Sequence, residues 1–99
     1  MIALETLTHD TFAPLVGQRF KITAGEASAE LVLANAQVQP GRRPEAIREP
    51  FSILFRGAPG LRATQGIYHF EHETLGAFDI FITQVKDGPQ GSEFEAIFT

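Results

Sequence analysis

Two runs of alternating side chains, residues 66–72 and 77–85, stand on either side of Glu73-Thr74-Leu75-Gly76. Alternation sends successive side chains to opposite faces of an extended strand. A connection this short closes only an antiparallel hairpin, because a parallel return needs about a dozen residues or more. In the first run Tyr68 and Phe70 face one way, and Ile67, His69 and Glu71 the other. In the second, Phe78, Ile80 and Ile82 share a face opposite Asp79, Phe81 and Thr83. Gly76 suits a left-handed position closing the turn, and Gly66 a positive φ or a bulge where the hairpin begins.

The same period of two recurs along the chain. Residues 18–23 place Phe20 and Ile22 opposite Arg19 and Lys21. Residues 28–39 form a longer run, with Leu31 and Leu33 on one face and Glu30, Val32, Ala34, Ala36 and Val38 on the other. Its inward side switches near Asn35, as a bulge there would produce. Residues 51–56 set Phe51, Ile53 and Phe55 against Ser52, Leu54 and Arg56; residues 93–99 set Phe94, Ala96 and Phe98 against Glu93, Glu95 and Ile97. Ala24-Gly25-Glu26, Gly57-Ala58-Pro59-Gly60 and Asp87-Gly88-Pro89-Gln90-Gly91 are turn signals between these runs.

One segment departs from the pattern. Thr8 is an N-cap residue, Asp10 suits a first helical turn, and Phe12, Leu15 and Val16 share one helical face. Pro14 lacks an N–H and Gly17 favours a stop, so the helix over Thr8–Val16 is short and packs as a plug against a sheet. Residues 1–7 form an edge strand or a tail. The expected architecture is therefore one all-β domain over residues 1–99. It is a small antiparallel barrel or sandwich of about six strands, with one short N-terminal helix.

Composition removes several function classes. With no cysteine, the chain has no disulfide, thiolate metal site or cysteine nucleophile. Nine phenylalanines against one tyrosine and no tryptophan point to packing, not to a stacking platform for bases or sugars. The first ten residues lack the basic start and apolar core of a signal peptide, and no apolar run approaches the ~20 residues of a membrane helix. These features lead us to expect a cytoplasmic protein that binds no membrane. The net charge of −4 disfavours nucleic acid. The charge is uneven: residues 42–62 carry five arginines against two glutamates, net +3, and the remainder is −7. Such asymmetry suits contact with an acidic partner or between copies in a homo-oligomer.

The motifs that suggest chemistry are thin. In His69-Phe70-Glu71-His72-Glu73 the histidines stand three apart on a strand, which sends their rings to opposite faces. A zinc-binding helical pair needs a spacing of four on a helix. None of Ser28, Ser52 and Ser92 lies in a nucleophile elbow. Ser52 alternates with core phenylalanines and reads as a hydrogen-bonded strand hydroxyl; a Ser52–His69–Asp79 triad has no support in the spacing. No cofactor is called for.

Four segments, LETLTHDTFAPLVGQRF (4–20), REPFSILFRG (48–57), QGIYHFEHETLGAFDIFITQV (65–85) and FEAIFT (94–99), together resemble a bacterial family of about one hundred residues. That family is known only as a domain of unknown function. Its most specific parts are Arg48-Glu49-Pro50-Phe51-Ser52, Gln65-Gly66-Ile67-Tyr68, and Glu71-His72 with Leu75-Gly76. A proline that follows the hairpin's last strand in that family is replaced here by Gln84-Val85. The resemblance implies no catalytic residue. It implies an accessory or adaptor role beside phage-tail-like particles.

The expected function is therefore a non-catalytic binding or assembly module with a protein partner. The arginines Arg42, Arg43, Arg48 and Arg56 are the expected contact residues, and neither a catalytic nor a metal site is expected. The alternative is a small metal-dependent or hydrolytic enzyme using His69, Glu71 and His72.

Overall fold

The structure is a computed structural model and describes residues 2–39 and 49–99. Six strands close on themselves: β1 (Arg19–Ala24), β2 (Ala27–Val38), β3 (Phe51–Gly57), β4 (Gly66–His72), β5 (Gly76–Gly88) and β6 (Gly91–Phe98). Around the barrel the order is β1-β2-β3-β6-β5-β4, with β4 returning to β1, and every pairing is antiparallel. Two three-stranded meanders, β1–β3 and β4–β6, thus join along both of their edges. Residues 58–65 cross between them over one end of the barrel.

The expected alternation holds. Phe20 and Ile22, Leu31 and Leu33, Phe51, Ile53 and Phe55, Phe70, Phe78, Ile80 and Ile82, and Phe94, Ala96 and Phe98 are all buried. The switch expected near Asn35 is a register shift between Leu33 and Asn35 in the β2–β3 pairing. A second shift lies between Gln84 and Lys86, so β5 runs on to Gly88 and leaves Val85 half-exposed on its outer side.

The expected short helix is one turn, α1 (His9–Phe12), followed by a 3-10 turn over Ala13–Leu15 with Pro14 at its start. The proline cannot continue the α-helical ladder, but its fixed φ fits the tighter turn. Thr8 caps α1 through a reciprocal arrangement with Thr11. Of the two readings of the N-terminus, edge strand or tail, the described residues 2–7 form no strand: Leu4–Thr6 is a 3-10 turn, and the Ile2 amide donates to the Ala77 carbonyl at 2.8 Å. One expectation needs correction: Gly66 has neither a positive φ nor a bulge and pairs in regular register with Ile82, whereas Gly76 has φ +104° and closes the β4–β5 turn.

Phe12 is the plug. Fully buried, its ring lies 5.8–6.5 Å from those of Phe20, Phe51, Phe78 and Phe98. These four stand on four different strands at the same end of the barrel, so one side chain from α1 seals it. A buried aromatic cluster of this kind gains from area and from ring–ring geometry together.

Candidate functional site

The hairpin β4–β5 presents its inner and outer faces to different tasks. Inward, His72 is 8% exposed and lies against Phe20, ring centroids 4.6 Å apart. Its Nδ1 accepts the backbone N–H groups of Thr74 at 3.2 Å and Leu75 at 3.0 Å. Nε2 therefore carries the hydrogen and donates to Gln18 Oε1 at 2.7 Å. The imidazole does the work of a turn-capping group. Both of its nitrogens are engaged within the fold.

Outward, His69 sits directly across from Asp79, and Nδ1 lies 2.8 Å from Oδ1. Glu71 Oε2 is 3.8 Å from Nε2. All three side chains are 40–50% exposed and stand on the convex outer wall of the sheet. On β1, Thr23 is the cross-strand neighbour of His69, and Lys21 that of Glu71. Among the described residues no group of three or more histidine, aspartate and glutamate side chains is arranged to hold a metal ion. His69 and His72 are on opposite faces, so the set His69, Glu71 and His72 does not assemble at one place.

Ser52 is buried and accepts a hydrogen bond from Gln39 Nε2 at 2.7 Å. Its strand, β3, is separated from β4 by β6 and β5, and no Ser52–His69–Asp79 constellation forms. Arg56 donates through Nε and Nη2 to one carboxylate oxygen of its cross-strand neighbour Glu93, at 3.3 and 3.0 Å. Its side chain stays 54% exposed, so it remains accessible while held by this ion pair. The other three expected contact residues, Arg42, Arg43 and Arg48, lie outside the described residues.

The outer wall also carries a feature that residue-by-residue reading passed over. Ile67 is 73% exposed and pairs directly with Phe81, which is 53% exposed. Ile97, 64% exposed, lies two residues beyond Glu95, and Phe81 two residues before Thr83; Thr83 and Glu95 are paired. Phe81 and Ile97 border a common surface depression together with Leu4. Three adjacent strands thus contribute one apolar row, Ile67–Phe81–Ile97. It is flanked by Asp79, paired with His69, on one side and Glu95 on the other. The signal was present in the sequence: each of these residues occupies a mixed-face position of a strand whose other face is already apolar.

No curated protein and no solved structure matches the chain. A family model matches residues 7–98. On that match the chain belongs to the family described as a domain of unknown function (DUF6916).

Proposed function

We propose that this barrel is a non-catalytic protein-binding or assembly module, an accessory of a phage-tail-like particle, that meets its partner through the row Ile67–Phe81–Ile97. The observation that supports this reading is the exposure of three large apolar side chains side by side on three strands. Isolated exposed apolar residues are ordinary, but a contiguous row is the mark of a contact surface. Phe81, at its centre, has the aromatic character of an anchor residue. Among the described residues the closed sheet offers no strand edge for β-addition, so the contact proposed here is made by side chains.

The charge around the row sets the partner's chemistry. The described residues hold Asp79 and Glu95 on either flank, which suits a surface pairing an apolar knob with lysine or arginine. The arginines Arg42, Arg43, Arg48 and Arg56 form a second contact for an acidic surface. In a homo-oligomer, one copy would supply both halves. The alternative, an enzyme using His69, Glu71 and His72, loses His72 to the barrel interior.

The test is co-sedimentation with particles from the native host, using purified wild-type protein, Phe81→Lys, and a deletion of residues 40–47. Phe81→Lys is expected to abolish co-sedimentation while its denaturation midpoint stays within experimental error of wild type. Full binding by a folded Phe81→Lys variant would remove the row from the interface. Absence of wild-type co-sedimentation would remove the particle.

A further inference from the structure

The barrel wall opposite the apolar row carries its complement. Around the closed sheet β2 lies three strands from β5 in either direction, so the outer face of β2 looks away from Phe81. There Val32 is exposed, with Arg19 of β1 as its cross-strand neighbour on one side and Arg56 of β3 on the other. Val32 also borders a shallow, open depression with Val16, Ala34, Arg56, Gly57 and Ala58. The two faces are patterned in reverse. Phe81 has Asp79 on one flank and Glu95 on the other; Val32 has an arginine on each.

Both rims of the depression are held by the fold. Beside Val16, the Gly17 amide donates to the Leu33 carbonyl at 2.7 Å, and the Leu33 amide to the Gln18 carbonyl at 3.0 Å. Ala58 opens the crossing segment, which is fixed a few residues on. Gln84 accepts the Ala63 N–H at 3.2 Å and donates to the Leu61 carbonyl at 3.0 Å; Arg62 pairs with Asp87 at 3.0 Å; the Tyr68 hydroxyl donates to the Thr64 carbonyl at 2.6 Å. The arginines keep donors for a partner. Arg56 gives Nε and Nη2 to Glu93, which leaves Nη1 unused among the described residues. Glu30 is the one acidic residue lining the depression, and its carboxylate lies 3.7 Å from Arg19 Nε, beyond hydrogen-bond reach.

We propose that the depression beside Val32 receives Phe81 of a second copy of this chain, so that copies join head to tail. The inference rests on the reading of Ile67–Phe81–Ile97 as a contact surface and names what covers it. Charge selects the occupant: Asp79 and Glu95 around the incoming ring meet Arg19 and Arg56 around Val32, and such complementarity fixes partner and register. An aromatic anchor ringed by arginine contacts is also the composition that dominates protein interfaces. Every copy carries both faces, on opposite sides of the barrel. A contact between two different patches of the same chain is heterologous, and it leaves a free row at one end and a free depression at the other. The pair therefore does not close as a two-fold dimer, and further copies add along the same direction.

The experiment is sedimentation velocity of the full chain across a concentration series, with wild type, Phe81→Lys, Val32→Glu and an equimolar mixture of the two variants. Wild type is expected to form species heavier than a dimer as concentration rises. Each variant alone is expected to stay monomeric, because each lacks one half of the contact. The mixture is expected to recover a species of twice the monomer mass and nothing larger. In it the intact row of Val32→Glu meets the intact depression of Phe81→Lys, and growth stops there. Ala58→Glu, at the rim of the depression, replaces Val32→Glu if that variant does not fold. The proposal is overturned if wild type stays monomeric, if a folded variant assembles as wild type does, or if the mixture stays monomeric. Dimers of Val32→Glu alone would show that the row packs on itself, which also overturns it. A monomeric wild type whose co-sedimentation with particles is still abolished by Phe81→Lys would give the row a foreign partner, so the proposal falls while the reading of the row survives.

Discussion

His72 converts a residue type associated with chemistry into scaffolding. One ring nitrogen holds two amides of the β4–β5 turn, the other reaches Gln18 at the start of β1, and the ring face lies on Phe20. Truncation leaves the Thr74 and Leu75 amides without their side-chain acceptor and a void beside an aromatic ring, and each of these effects has its own cost. His72→Ala is expected to lower the unfolding free energy by about 2–4 kcal/mol, read from urea denaturation. His69, three residues earlier, is the internal control. Its pair with Asp79 is short but about 40% exposed on both sides, where solvent screens most of the attraction. Asp79→Asn should therefore change stability by no more than about 0.5 kcal/mol in the same assay.

At the scale of elements, the hairpin shows what sequence could and could not supply. The alternation of residues 66–72 and the four-residue turn specify β4, its inward Tyr68 and Phe70, and the opposition of Ile67 to Phe81. Local rules are enough because the turn fixes the register. The inward switch at Asn35 was readable for the same reason: an apolar face cannot change sides without an extra residue. The bulge at Val85 was not readable, because Val85 fits either face by hydrophobicity alone. Without that bulge in hand, Ile97 could not be aligned beside Phe81, and the apolar row stayed hidden. The pairings β3–β6 and β1–β4 are set by closure of the whole sheet, which no local pattern encodes. Nor does the sequence show that Gln84, a polar residue on an inward strand position, clamps residues 61 and 63. Gln84→Ala should release that segment. The Ala63 amide, which donates to Gln84, is expected to exchange with solvent at least tenfold faster, with core amides of β3 and β6 unaffected at low denaturant. Unchanged exchange at Ala63 would show that Leu61 packing, the Arg62–Asp87 pair and the Tyr68–Thr64 hydrogen bond hold the crossing segment without Gln84.

For the whole molecule, closure has a kinetic signature. Four of the six strand pairings follow the chain through hairpins or short returns, but β3–β6 and β1–β4 join residues far apart in sequence. Such pairings require loop-closure entropy to be lost before they contribute. Refolding is expected on the millisecond-to-second scale typical of small β-barrels, measured by stopped-flow fluorescence of Tyr68. A microsecond phase carrying the full amplitude would contradict this picture of late closure.

The crossing segment 58–65 is the single covalent link between the two meanders. Every strand edge that one meander leaves open is matched by an edge of the other: β3 by β6 along seven residue pairs, and β1 by β4 along three. A chain cut between Pro59 and Gly60 would yield two fragments, each with two complementary interfaces for the other. The domain is thus built as a natural split protein, whose halves carry in their own edges the instructions for reassembly.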